Sequence, residues 1–67
     1  MTQYMISFET DDDNGDYFYT YDEEEAEKEY QDIINDPHTI YASMTEYYIY
    51  GGICQGEKVT HRYNKTE

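Results

Sequence analysis

Residues 10–37 read TDDDNGDYFYTYDEEEAEKEYQDIINDP and contain, in succession, a turn, a strand, a helix and a stop signal. Asn14-Gly15 predicts a β-hairpin with a type I′ turn, because that turn needs a positive φ at both central residues. The aromatic segment at 17–21 is then the expected return strand, since aromatic side chains favour strands.

The second half of this stretch predicts a helix over about residues 23–35. Asp22 is the expected N-cap with Glu25 as its capping-box partner, and acids in the first turn suit the positive end of the helix dipole. Pro37 ends the helix, because the residue before a proline disfavours helical backbone. The apolar positions recur with helical spacing, at Ala26, Tyr30, Ile33 and Ile34.

The segments outside this stretch alternate apolar and polar residues, as strands do. We expect strands at residues 3–9, 39–50 and 57–63, with a bulge near Glu46 and a glycine-containing turn region, which includes Gly56, before the last strand. The order ββαββ predicts an α+β fold: a small two-layer domain with a four-stranded antiparallel sheet and one helix packed on one face.

The chain is short enough to form a single domain, expected over residues 1–63 with a frayed tail at 64–67. A core of this size contributes little stability, and the single cysteine allows no disulfide, so homodimerisation is an alternative way to bury more area. Because the N-terminus carries no apolar signal segment, we expect a cytoplasmic protein.

Negative charge is the dominant feature of the composition. Sixteen acids against four bases give a formal net charge of −12, and residues 1–50 hold fourteen of the acids with Lys28 as their only base. Such a field repels nucleic acid and anionic membranes and attracts basic protein surfaces. The ten tyrosines and two phenylalanines predict a folded chain, because disordered acidic chains contain few aromatic residues.

The hairpin tip carries the first acidic cluster, Asp11, Asp12, Asp13 and Asp16. A calcium loop of the EF-hand type aligned on Asn14-Gly15 would have Thr10 first and Tyr21 last, so both key ligands are missing. We therefore expect a solvated hairpin tip and no metal site. Zinc is equally unexpected, since Cys54, His38 and His61 lack paired spacing.

The predicted helix carries the second acidic cluster. Glu25, Glu29, Asp32 and Asp36 fall at i, i+4, i+7 and i+11 and form one rail, while Glu23, Glu24 and Glu27 are expected on the outward side. Neighbours on such a rail have a separation similar to that of successive phosphates in a nucleic-acid strand. The alternative is a solvated helix face without a partner.

The tyrosines are too numerous to be buried together in so small a body. Several should form cross-strand pairs that stabilise the sheet, and others, such as Tyr19 and Tyr48, are expected to pack against a partner. Cys54 lies in a glycine-rich segment with no base placed beside it by the sequence, so we expect neither catalysis nor a cofactor.

In DDDNGD at 11–16, DEEEAEKE at 22–29 and the tyrosine-rich strands, the chain resembles the small acidic proteins that bacteriophages encode against host defences, including DNA mimics and anti-CRISPR proteins. The resemblance lies in size, charge and aromatic content. It implies a non-enzymatic inhibitor that occupies the nucleic-acid-binding site of a defence nuclease or a DNA-repair enzyme.

The sequence thus predicts an acidic protein that binds a basic nucleic-acid-binding protein in the bacterial cytoplasm, without contacting nucleic acid or membrane itself. The alternative is a homo-oligomeric interaction module whose charge serves solubility. The expected partner-binding residues are Asp11, Asp12, Asp13, Asp16, Glu24, Glu25, Glu27, Glu29, Asp32, Asp36, Tyr19 and Tyr48.

Overall fold

The computed structural model describes residues 1–66 and confirms the ββαββ order. Its elements are β1 (Thr2–Thr10), β2 (Gly15–Thr20), α1 (Glu23–Ile34), β3 (Thr39–Tyr50) and β4 (Ile53–Asn64). The strands form one antiparallel sheet in the order β2-β1-β3-β4. The helix packs on one face of the sheet, against β1, β2 and β3.

The core lies between this helix and the sheet. Even-numbered residues of β1 and β3 point toward the helix because side chains alternate along a strand, and the helix offers its predicted apolar stripe. The buried apolar residues are Ile6, Ala26, Tyr30, Ala42 and Met44. The partly buried residues packed on them include Phe8, Phe18, Ile33 and Tyr63. The opposite face of the sheet carries no helix.

The turn between β1 and β2 differs from the predicted type I′ turn at Asn14-Gly15. The amide of Thr10 donates to the carbonyl of Asn14 (2.8 Å), and the amide of Asp13 donates to the carbonyl of Thr10 (3.3 Å). Asp13, with φ 65°, is the residue in the left-handed region. This is a three-residue loop with one left-handed residue, a role that aspartate fills more readily than most non-glycine residues.

The helix begins as predicted at Asp22, but the capping-box prediction is wrong. The Asp22 carboxylate accepts hydrogen bonds from the amides of Glu24 (2.9 Å) and Glu25 (3.3 Å). The amide of Asp22 donates to the hydroxyl of Thr20 (3.1 Å), which takes the place expected for the Glu25 side chain. The entry to the helix is therefore held by residues that precede it.

The last hairpin is longer than predicted. Gly51 and Gly52 have φ values of 60° and 76°, as a two-residue type I′ turn requires. As a result β4 starts at Ile53, and Gly56, expected in a turn, lies within β4 opposite Tyr48. The β3–β4 pairing shifts between Met44 and Thr45 and again between Tyr48 and Ile49, which places two irregularities on either side of the predicted bulge site at Glu46.

Candidate partner-binding surface

The acidic hairpin tip is exposed and held by its own hydrogen bonds. The Asp12 carboxylate accepts from the hydroxyl of Thr10 and from the amide of Asn14 (3.4 Å). These bonds, that of Thr10 first, hold the pKa of Asp12 below its ordinary value because they favour the ionised form. Asp16 accepts from the amide of Tyr17 (2.8 Å). The tip thus presents fixed carboxylates to solvent.

The predicted rail lies on one flank of the helix. Each of the three helical rail residues directly precedes a residue of the apolar stripe, so it lies about 100° around the helix from it. The pairs are Glu25 with Ala26, Glu29 with Tyr30 and Asp32 with Ile33. Glu25 and Asp32 are exposed, and Glu29 is half-buried. Asp36 follows the end of the helix, where its carboxylate accepts from the amide of His38 (2.9 Å).

The other flank of the helix faces β4 and corrects one expectation. Glu27 was expected to point outward, but its carboxylate lies 3.3 Å from Nε2 of His61 on β4. The ring of His61 also packs on the ring of Tyr30, with centroids 5.0 Å apart. Glu27 is therefore engaged within the fold. Because this flank faces β4, the flank that carries the rail faces the opposite edge strand, β2.

Glu23 is also partly engaged with the sheet. Burial raises the pKa of the Tyr4 hydroxyl above its ordinary value, and the nearby negative charge of Glu23 raises it further. Glu24, by contrast, is exposed beside the helix N-terminus. Of the three acids expected on the outward side of the helix, Glu24 is the one that lies there free of the sheet.

The fold brings the hairpin tip and the helix end together. The amide of Asp11 donates to the carbonyl of His38 (2.8 Å), and Nδ1 of His38 lies 3.3 Å from the Asp11 carboxylate. His38 therefore links the tip to Asp36, the last residue of the predicted rail, whose carboxylate accepts from the His38 amide. Asp16 lies on β2 on the helix side of the sheet, since it pairs with Phe8. We call this surface the acidic track: Glu25, Glu29, Asp32, Asp36, Asp11, Asp12, Asp13 and Asp16.

The two tyrosines expected at the binding surface lie on opposite faces of the sheet. Tyr19 points away from the helix, beside Tyr17, with ring centroids 5.4 Å apart in an edge-to-face arrangement. Tyr48 lies on the helix side, and its hydroxyl donates to the Glu46 carboxylate (3.2 Å). One flat partner surface cannot contact both tyrosines.

Sequence reasoning missed the cluster around Tyr4. Glu23, Glu46 and Tyr48 all lie close enough to Tyr4 to raise the pKa of its hydroxyl. Residues 4, 46 and 48 are all even-numbered strand positions, so strand alternation could have placed them on one face of the sheet. The pairing of β1 with β3 then sets Tyr4 opposite Glu46. The cluster lies near the helix N-terminus, at the opposite end of the helix from the hairpin tip.

Cys54 is exposed, and its thiol lies 3.4 Å from the carbonyl of Gly56. The two histidines face other partners: His38 faces Asp11, and His61 faces Glu27 and the hydroxyl of Thr60 (2.8 Å). The structure thus does not bring the cysteine and the histidines together.

Over residues 1–66 the surface contains no detectable cavity, and no three His, Cys, Asp or Glu side chains are grouped to hold a metal ion. In the same range, no helix is both long enough and apolar enough to cross a membrane.

Comparison of the chain with protein-family models, with curated proteins and with solved structures found no match in any of the three.

Proposed function

We propose that this chain is a non-catalytic inhibitor, of the DNA-mimic or anti-CRISPR type, that binds the positively charged nucleic-acid site of a host defence or DNA-processing enzyme. The observation that carries the proposal is the continuity of the acidic track, in which the helix rail and the hairpin tip meet at the Asp11–His38 contact. The expected setting is the cytoplasm of a bacterium infected by the phage that encodes the chain.

The charge of the track is largely uncompensated. Among residues 1–66 the close contacts between acidic and basic side chains both involve histidine, and only one of them, His38 with Asp11, lies on the track. Lys28 makes no such contact there, although helical spacing places it one turn from Asp32. Carboxylates left unpaired in the free protein are available to lysine and arginine side chains of a partner.

The track also has the length and rigidity that recognition of a groove requires. The helix alone has 12 residues, or about 18 Å at a rise of about 1.5 Å per residue. At the tip and beyond the helix, backbone amides hold Asp12, Asp16 and Asp36 in place. Groups fixed before binding lose less conformational entropy when a partner engages them.

A nucleic-acid-binding site is the partner surface that best matches this arrangement. Such sites gain much of their affinity from sequence-independent attraction of lysine and arginine to phosphates. A rigid line of carboxylates can therefore compete for the same cations. A Cas9-type enzyme offers two candidate surfaces. One contains the arginines that read the short motif next to the target DNA, and the other is the positively charged channel that holds the RNA–DNA heteroduplex. Uracil-DNA glycosylases and nucleoid proteins offer comparable surfaces.

The test is displacement of a fluorescent DNA duplex from a panel of Cas9-type nucleases, uracil-DNA glycosylases and nucleoid proteins. We expect displacement from at least one of them. Displacement should weaken steeply as salt rises from about 0.05 to about 0.3 M, because the Debye length falls from roughly 14 to 6 Å. An effect that is independent of salt, or absent throughout the panel, would contradict the proposal.

Charge reversal at one position separates the track from the net charge. Asp32→Lys on the track should weaken displacement by about tenfold to a hundredfold, since it replaces an attraction to a partner cation with a repulsion. Glu9→Lys is the matched control, because it changes the net charge equally but lies at a strand position facing away from the helix. Equal losses in the two variants would indicate a general charge effect and count against a defined track.

A further inference from the structure

The face of the sheet without a helix is rich in tyrosine and poor in charge. Side chains that point to it are exposed by 63% at Tyr17, 48% at Tyr19 and 42% at Val59. We call it the open face and define it by Gln3, Met5, Ser7, Glu9, Tyr17, Tyr19, Ser43, Thr45, Tyr47, Glu57, Val59 and Arg62.

The register arranges all of these residues except Glu9 in three rows across the strands. The central row is Tyr19, Met5, Thr45 and Val59. One row beyond it contains Tyr17, Ser7, Ser43 and Arg62. The row on the other side contains Gln3, Tyr47 and Glu57. Tyr47 leans toward the central row, with its hydroxyl 3.8 Å from the sulfur of Met5.

Charge separates the two sides of the sheet. The open face carries Glu9 and Glu57 against Arg62, a net charge of −1, whereas the whole chain has a net charge of −12. Two copies that met through their helix sides would bring their acidic tracks together and repel each other. The open face is the surface over which two copies can approach with little repulsion.

The outer rows are complementary to each other across a two-fold axis. Such an axis along the central row exchanges the two outer rows, so that Ser43 of one copy faces Tyr47 of the other. A small side chain then receives a large one. The same operation places Arg62 opposite Glu57, which gives two ion pairs for each dimer. An isologous interface requires self-complementarity of this kind.

The outline of the molecule sets an upper limit on the area of the open face. The principal extents are 39 by 20 by 19 Å, so a face cannot exceed about 780 Å² in outline. This limit is close to the roughly 800 Å² per partner of a standard protein interface, so the dimer needs most of the face.

We propose that the open face binds a second copy of this chain, sheet against sheet, about a two-fold axis along the central row. The helices and their acidic tracks then lie on the two outer surfaces of the dimer and face away from each other. The proposal does not depend on the proposed function. If both hold, one dimer engages two target molecules.

Sedimentation over about 1 to 100 µM protein tests the proposal directly, because interfaces of standard size have dissociation constants from micromolar to picomolar. The expected species at the upper end has twice the monomer mass of 8.1 kDa, or 16.2 kDa. A monomer at every concentration would overturn the proposal, as would assembly that continues beyond the dimer.

A charge swap tests the arrangement of the two copies. Arg62→Glu and Glu57→Arg should each weaken dimerisation about tenfold, because each places like charges opposite one another. The double variant Arg62→Glu/Glu57→Arg should restore the dimer. The single variants change the net charge in opposite directions. A general charge effect would therefore weaken dimerisation in one variant and strengthen it in the other, instead of weakening it in both.

Two further variants complete the test. Asp32→Asn on the acidic track is the control and should leave the dimerisation constant unchanged. Val59→Lys, at an exposed position of the central row, should also weaken the dimer about tenfold, and circular dichroism checks that each variant keeps its secondary structure. A dimer unaffected by Val59→Lys and by both single charge variants would show that the copies meet elsewhere and overturn the proposal.

Discussion

Asp22 fixes the start of the helix with one carboxylate oxygen, which accepts hydrogen bonds from the amides of Glu24 and Glu25. Asp22→Ala should lower the free energy of unfolding by about 1 kcal/mol, because these first-turn amides lose their acceptor. The measurement is urea denaturation followed by circular dichroism.

Asp22→Ser is the matched control for this cap, since serine also accepts from first-turn amides and removes the same charge. It should keep most of the stability that Asp22→Ala loses. Equal losses in the two variants would mean that the charge of Asp22 acts on the helix dipole and that its hydrogen bonds contribute little.

Single residues also show which contacts the sequence could predict. The cap at Asp22 depends on residues two and three positions away, so local sequence indicates it. The contact of Glu27 with His61 joins residues far apart in the chain, and its position depends on how the helix is rotated over the sheet. Helical spacing could assign Glu27 to a flank of the helix but could not show that β4 lies beneath that flank.

The β3–β4 hairpin is an element whose shape is set by two glycines. Gly51 and Gly52 both have positive φ, where a Cβ is unfavourable by about 1–2 kcal/mol. Gly52→Ala should therefore lower the free energy of unfolding by about that amount. An added Cβ at this position would have no neighbour within 4 Å, so any loss reports backbone conformation and not a steric clash.

Gly52→Asn is the comparison for this hairpin, because asparagine enters the left-handed region more readily than alanine. Chemical denaturation of both variants should rank glycine first, asparagine second and alanine last. A variant Gly52→Ala as stable as the parent protein would argue against a type I′ turn at this hairpin.

Local sequence patterns predicted each strand, and pairing within the sheet made β4 longer than predicted. Residues 39–50 have strong β propensity, and β3 has those bounds. The prediction for β4 began four residues late because Gly56 resembled a turn residue, whereas in the sheet it lies opposite Tyr48. Strand alternation gave the two faces of the sheet, but pairing irregularities such as that between Met44 and Thr45 depend on the partner strand.

The molecule as a whole has two different sides, with acids on and beside the helix and tyrosines on the open face. Charge composition and the spacing of Glu25, Glu29 and Asp32 predicted the rail. The joining of the rail to the hairpin tip depends on the contact of Asp11 with His38, which no local pattern encodes. The sequence thus indicated the ingredients of the acidic track, and the topology of the sheet supplied its continuity.

Tyrosine ionisation should limit the stability of the whole fold in alkali. Four tyrosines have a pKa raised above the ordinary value of 10.0, and burial is the first cause in each: Tyr4, Tyr30, Tyr47 and Tyr48. Nearby carboxylates raise the pKa further at Tyr4, Tyr30 and Tyr47. At Tyr48 the hydrogen bond to Glu46 does so. A raised pKa means that the folded state favours the neutral phenol. Its contribution to stability is complete below pH 10.0 and is lost as the pH rises through the higher folded-state values.

We therefore expect the free energy of unfolding in urea to fall as the pH rises above the ordinary tyrosine pKa of 10.0. Tyr30→Phe should make this fall less steep, because it removes the phenol that lies deepest in the core. Tyr21→Phe removes a phenol at an exposed position outside the strands and should leave the steepness unchanged. Equal slopes for the parent protein and Tyr30→Phe would show that Tyr30 keeps its ordinary pKa and that alkaline unfolding follows from the growing negative charge alone.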